Sequence, residues 1–221
     1  LVYAVNAALG NIGQTVSYRE LKDVSLPDRK AMSDLVTAMN EGNVLTLAII
    51  GGNPVYNAPA DLDFKSALGK VKNTIHFSPY VDETSKWTSW HVPQAHFLEG
   101  WGDARSANGS VSVIQPLIDP LFGAHTSIEF LNMLVKASDD RGYSLVRDTW
   151  TDILKGKDFE KTWRRVLHDG ILENTAAAGV LPKISSKAIA EYIQSHPFAK
   201  DAAELNNMEI VFQSSASTYD G

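Results

Sequence analysis

Two strand-like runs separated by one crossover length constrain this chain more than any other feature. Residues 44–50 read VLTLAII and residues 73–79 read NTIHFSP. Both are rich in β-branched and aromatic residues and are bounded by turn chemistry, so both read as strands. The first is apolar without interruption, the pattern of a strand buried on both faces of a parallel sheet. The 22 residues between them, 51–72, carry a helical stripe at Phe64, Ala67, Leu68 and Val71. Strand, helix and strand over that distance make a βαβ crossover.

The flanking segments extend the pattern. Asp28 caps a helix whose apolar positions are Met32, Leu35, Val36 and Met39, and Gly42 ends it. Residues 82–87 (DETSKW) suit a short helix, and 89–93 (SWHVP) a third short strand stopping at Pro93. Residues 94–125 are rich in Gly, Pro, Ser and Asn, with one strand-like stretch at 110–114. A loop of that length in a compact domain is functional or packs on something else. Thr126 and Glu129 then have the spacing of a capping box. Beyond it Val146, Trp150, Ile153 and Leu154 share a helix face. Asp158 caps another helix with Phe159, Trp163, Val166 and Leu167 inward and Gly170 as its stop, and residues 187–195 form a shorter one. A strand-like MEIVFQ precedes the closing STYDG. The opening LVYAVNAALGNIG reads as the end of an apolar helix, and the whole as a piece of a longer chain.

The 221 residues suffice for a sizeable core. At 44% hydrophobic and 21% charged residues the composition is globular, and no apolar run approaches the ~20 residues of a membrane span. The net charge of −6 carries no basic excess of the kind a duplex-binding surface shows. The local cluster Lys161, Arg164 and Arg165 reads as a solvated helix face. With no cysteine there is no disulfide, no thiolate-held cluster and no Cys-based zinc site.

Several residues bear on chemistry. Gly51, Gly52, Asn53 and Pro54 follow the first strand at its carboxyl end, where parallel sheets bind ligands. Glycine admits a close approach and Asn offers donor and acceptor; the same residues also make a plain turn with positive φ. Asp82, Glu83 and Thr84 follow the second strand; they suit a ribose or base edge, and equally the first turn of a helix. His91 and His96 flank Pro93 at a spacing unlike that of metal-binding helices, with Glu99 and Asp103 nearby. His76, His125, His168 and His196 form no constellation in sequence, and there is no G-x-S-x-G elbow. Trp87, Trp90 and Trp101 bracket the long loop as packing anchors or as a surface for another domain.

Taken together, AALGNIG, IIGGNPVYNAPADLDFKSAL, YVDETSKWTSWHVPQAHFLEGWGDA, NGSVSVIQPLIDPLFG and STYDG resemble the molybdopterin oxidoreductase superfamily of the dimethyl sulfoxide reductase type. Within it they look like the molybdoenzyme-like region of the iron–sulfur subunit of alternative complex III. The resemblance covers most of residues 1–123 and returns at the C-terminus. It implies that Gly51, Gly52, Asn53, Pro54, Glu83 and Thr84 descend from the crevice for a guanine dinucleotide arm of molybdopterin guanine dinucleotide. It also shows departures. Ser89 stands where the family has Asp, and Trp90 and His91 replace small apolar residues. Glu99, Gly102, Gly109 and Val111 keep the next frame, but Ser106, Asn108, Ser110 and Ser112 replace Asn, Glu, Arg and Gln. Serine supplies neither the charge nor the fork of an arginine at a pyrophosphate.

The resulting expectation is a single α/β domain over residues 1–221: a mostly parallel, open, Rossmann-like sheet with flanking helices and a helical insertion in the C-terminal half. Residues 1–125 would hold the βαβ core and long loop, 126–206 the helical part and 207–221 a returning strand. The resemblance implies a structural or assembly domain with a vestigial crevice, no catalytic residue and no metal or cofactor of its own. Its partners would be the remaining domains of a parent chain and subunits of a membrane-bound respiratory complex, on the periplasmic face of the inner membrane. An active molybdenum–pterin oxidoreductase is the competing expectation.

Overall fold

The structure, a computed structural model, describes residues 2–20, 28–156, 158–183 and 185–196. In chain order the helices are α1 (Val2–Ala8), α2 (Arg29–Asn40), α3 (Pro54–Asn57), α4 (Phe64–Leu68), α5 (Ser127–Lys136), α6 (Gly142–Ile153), α7 (Phe159–Asp169) and α8 (Ser186–Ser195). The strands are β1 (Tyr18–Arg19), β2 (Thr46–Ile50), β3 (Asn73–Ser78), β4 (Trp90–Pro93), β5 (Gly102–Arg105), β6 (Val111–Ile114), β7 (Ile171–Leu172) and β8 (Gly179–Val180). The strand expected near residues 208–213 lies outside the described residues.

The mixed content and the three-stranded parallel sheet are compatible with an α/β fold. β2, β3 and β4 form one three-stranded sheet in that order, parallel throughout. Ile49 pairs with His76 and His76 with His91, so these three side chains share one face. Asp28 starts α2 as expected, its carboxylate accepting from the Lys30 and Ala31 amides. The apolar stripes of α2 and α4 then meet: Val36, Met39, Phe64, Ala67, Leu68 and Val71 form a buried cluster over Leu47 and Ile49.

The first strand is not buried on both faces. β2 is an edge strand among the described residues, and its side chains alternate, with Leu47 and Ile49 turned inward and Ala48 and Ile50 exposed. α2 and α4 cover the face that carries Leu47 and Ile49. On the opposite face Phe77 stacks on Phe130 of α5, ring centroids 4.4 Å apart, while Trp90 stays 69% exposed.

Beyond residue 100 the pairing is antiparallel. β5, β6 and β7 form a second three-stranded sheet, and β1 pairs with β8. The long loop expected over 94–125 therefore contains a hairpin, Gly102–Arg105 with Val111–Ile114. α6 and α7 pack on this sheet through Val146, Trp150, Leu154, Trp163 and Val166, which join Val111, Val113 and Leu172 in a second buried cluster. The capping box at Thr126 and Glu129 is present in full, as is the Asp158 cap, and Gly170 ends α7 at φ +76°. No helix among the described residues is long and apolar enough to cross a membrane.

Candidate functional site

The crevice at the carboxyl ends of β2 and β3 has a volume of about 620 Å³ and is lined by Gly52, Asn53, Asn57, residues 78–83 and Lys86. Its first wall is the turn after β2. Gly51 and Gly52 both have positive φ, +66° and +67°, and a Cβ at either would meet nothing within 4 Å. Glycine is needed here for torsion and not for space. Pro54 begins α3, where its fixed φ suits a first helical position.

Asn53 does not face the crevice as a loose polar group. It is 3% exposed, and its carboxamide bridges the two loops. Its Nδ2 donates to Glu83 Oε2 at 2.7 Å, and its Oδ1 accepts the Thr84 hydroxyl at 2.7 Å and the Thr84 amide at 3.2 Å. Thr84 is fully buried, and its Oγ1 in turn accepts the Val55 amide at 3.0 Å. The hydrogen bond from Asn53 is the main cause that holds the Glu83 carboxyl below its usual range. All six residues singled out from the sequence, Gly51, Gly52, Asn53, Pro54, Glu83 and Thr84, thus meet at one place.

Behind the turn lies a polar cluster that the sequence did not disclose. His76 is completely buried. Its Nε2 donates to the Gly52 carbonyl at 3.0 Å, and its Nδ1 lies 2.8 Å from Ser85 Oγ. His91 Nδ1 approaches the same hydroxyl at 3.0 Å, and Asp82 Oδ1 at 3.2 Å. Spacing in sequence paired His91 with His96; the fold pairs it with His76 through the parallel register, with ring centroids 6.0 Å apart. Burial, with the neighbouring His76 as a second cause, holds the His91 imidazole below its usual value against the pull of Asp82.

The other candidates have structural engagements. Glu99 accepts the His96 amide, and Asp103 Oδ2 accepts the Trp150 indole N–H at 3.1 Å. No cluster of three or more His, Asp and Glu side chains among the described residues is arranged to hold a metal ion. Trp101 packs against the second core cluster, while Trp87 lies 51% exposed beneath the Lys65 ammonium. Ser106, Asn108 and Ser110 close the β5–β6 hairpin: Ser106 Oγ donates to Asn108 Oδ1 at 2.6 Å and the Ser110 amide donates to the same oxygen at 3.0 Å. Neither they nor Ser89 nor Ser112 lines the crevice.

No protein-family model matches the sequence. The chain is 26% identical over 219 residues to the "Menaquinone reductase, molybdopterin-binding-like subunit" of Nitratidesulfovibrio vulgaris (strain Hildenborough). The match takes in 89% of this chain but 31% of that protein, so the chain spans about a third of the relative's length. The likeness supports a molybdopterin oxidoreductase-like relationship at the level of the family.

The sequence resemblance implies a pterin guanine dinucleotide for this crevice. A pterin guanine dinucleotide carries a pyrophosphate, and its binding calls for cations or free amide donors. Among the described residues the lining offers Asp82 and Glu83 as carboxylates against Lys86 as its single cation, and no arginine. The Asn53 carboxamide is already bonded at both ends. These side chains do not fit a pyrophosphate. The carboxylates alone suit hydroxyl or amino groups.

Proposed function

We propose that the chain is a structural and assembly domain of a molybdopterin oxidoreductase-like subunit in a respiratory electron-transfer complex, with its ancestral cofactor crevice converted to architecture. The observation that carries this reading is the Asn53 bridge. The carboxamide that would greet a ligand ties the loop after β2 to the loop after β3 through Glu83 and Thr84. The acidic lining supports the same reading, as does the use of Ser106, Asn108 and Ser110 to close a hairpin. The named relative is a molybdopterin-binding-like subunit of a quinone reductase, which supports an electron-transfer setting with other subunits as partners. The finer assignment to an alternative complex III type of iron–sulfur subunit, on the periplasmic face of the inner membrane, rests on the sequence resemblance. So do the reading of residues 1–221 as one domain of a longer chain and the assignment of Gly51, Gly52, Asn53, Pro54, Glu83 and Thr84 as vestigial contacts.

A second reading, cofactor binding in an active molybdenum oxidoreductase, is favoured by one feature: the paired positive-φ glycines still hold the turn open before a crevice of about 620 Å³. Metal analysis and pterin extraction on the complete parent protein, purified from its own membranes, separate the two. The first reading expects neither molybdenum nor an oxidisable fluorescent pterin. Stoichiometric molybdenum with pterin would overturn it and establish the second.

A further inference from the structure

The Ser85 hydroxyl has one proton to give, two lone pairs, and five polar neighbours. These are His76 Nδ1 at 2.8 Å, His91 Nδ1 at 3.0 Å, Asp82 Oδ1 at 3.2 Å, the Asp82 amide at 3.3 Å and the Tyr80 carbonyl at 3.3 Å. The assignment of protons follows from what each neighbour can do. The Gly52 carbonyl only accepts, so His76 carries its hydrogen on Nε2, and in the neutral ring Nδ1 accepts. Ser85 therefore donates to His76, its shortest contact. Its lone pairs then accept from the Asp82 amide and from His91, which must carry its hydrogen on Nδ1. The longer contacts to Asp82 Oδ1 and the Tyr80 carbonyl then go without this hydrogen, and Asp82 Oδ1 takes the Ser85 amide at 2.9 Å instead.

The arrangement has a mirror image that holds one more proton. A proton arriving at Nε2 of His91 lets the Nδ1 hydrogen of that ring pass to Ser85 Oγ as the Ser85 hydrogen passes to His76 Nδ1. His91 ends neutral with its hydrogen on Nε2, Ser85 donates to His91, and His76 becomes imidazolium. One proton is taken up, two move, and no electron changes place. The new charge lies 3.5 Å from Asp82 Oδ1. His91 is only partly buried and His76 is enclosed, so His91 is the side on which a proton enters.

The geometry points to a buried site for a single proton built from His91, Ser85, His76 and Asp82, with Ser85 as the hinge of the exchange and His76 as the seat of the charge. This site is independent of any pterin. Asp82 is the counter-ion. Glu83, the next carboxylate along the loop, is bonded to Asn53, and Lys86 is exposed. From the other side α2 and α4 present the apolar cluster of Val36, Met39, Phe64, Ala67 and Leu68. A second proton is disfavoured, because it would set two imidazolium rings 6.0 Å apart and leave Ser85 facing donors on both sides. The depressed proton affinity of His91, with His76 among its causes, agrees with this order. Because the His76 ring also holds the Gly52 carbonyl, the charge state of the cluster is felt at the crevice turn.

Long-range proton–nitrogen NMR of the imidazoles in the 15N-labelled 221-residue chain, titrated from about pH 8 to 5, tests the proposal; His91→Gln assigns the signals. At the alkaline end His76 should be the Nε2–H tautomer and His91 the Nδ1–H tautomer. On acidification His76 should become imidazolium while His91 changes tautomer in the same step and stays neutral. The second protonation should then lag by at least about one pH unit, a tenfold loss of proton affinity. Ser85→Ala should uncouple the two rings, so that His91 no longer changes tautomer when His76 is charged. A neutral His76 with its hydrogen on Nδ1, or a His91 that gains the proton while His76 remains neutral, would overturn the proposal. The wild-type spectra decide this even if the Ser85 variant does not fold.

Discussion

The buried hydroxyl of Thr84 donates to the Asn53 carboxamide oxygen at 2.7 Å, joining residues 31 positions apart in the chain. Asn53→Ala removes the acceptor and leaves Thr84 Oγ1 and its amide without it in a fully enclosed place. The expected cost is about 1–3 kcal/mol, read by urea unfolding. The Glu83 carboxyl, released from the Asn53 amide, should move back up toward the ordinary glutamate value, as followed by carboxyl carbon shifts.

Gly51 and Gly52 are held by torsion alone, since a Cβ at either meets open space. Gly51→Ala should therefore cost about 1–2 kcal/mol, the ordinary penalty for an L-residue in the left-handed region. Gly51→Asn should cost less. Equal thermal midpoints for the alanine, asparagine and parent proteins would show that the turn does not hold this conformation in solution.

Two groups give stability a definite slope with pH. His91 has a lowered proton affinity in the folded chain, so the unfolded chain binds more protons just below the ordinary value of 6.5. Stability therefore rises with pH through this window and falls as acid is added. Glu83 is lowered as well, so its contribution is complete above 4.5 and is lost as the pH falls through its folded value. Both act in the same sense. Unfolding free energies measured across pH should show a shallower loss near neutrality in His91→Gln and a shallower acid limb in Glu83→Gln.

Trp150 combines full burial with an indole hydrogen bond to Asp103, fastening α6 to β5. Trp150→Ala should destabilise by about 3–5 kcal/mol. Trp150→Phe keeps most of the apolar contact and leaves Asp103 without its donor. Its loss should be smaller and should not add to that of Asp103→Ala in a double-mutant cycle, because both variants cut the same bond.

Much of the first half was legible because local signals and tertiary packing agree there. The β2–helix–β3 unit, the Asp28, Thr126 and Asp158 caps and the Gly170 stop each depend on neighbours a few residues away. The second sheet depends on partners far apart. Gly102–Arg105 reads GDAR, with no β-branched residue to mark a strand, and its order comes from pairing with Val111–Ile114. The two faces of β2 were misjudged for a related reason. An apolar run reports what a strand can tolerate, whereas burial depends on how many layers are laid over it. The crevice residues could be named from the turn after β2 and the acidic loop after β3. The meeting of His76 with His91 could not be read from their spacing; only the parallel register Ile75–Trp90, His76–His91 reveals it.

The outer strand of the parallel sheet has a practical consequence. Thr46–Ile50 reads TLAII, with no charge, no proline and no bulge, and its edge is unpaired among the described residues. Natural sheets guard such an edge with lysine or proline, because bare peptide groups on a flat apolar strand recruit another chain. Such an edge favours association at high concentration, and sedimentation of this chain beside Ala48→Lys reads whether it does so here. The outward-facing Ala48, replaced by lysine, is the position from which to protect it.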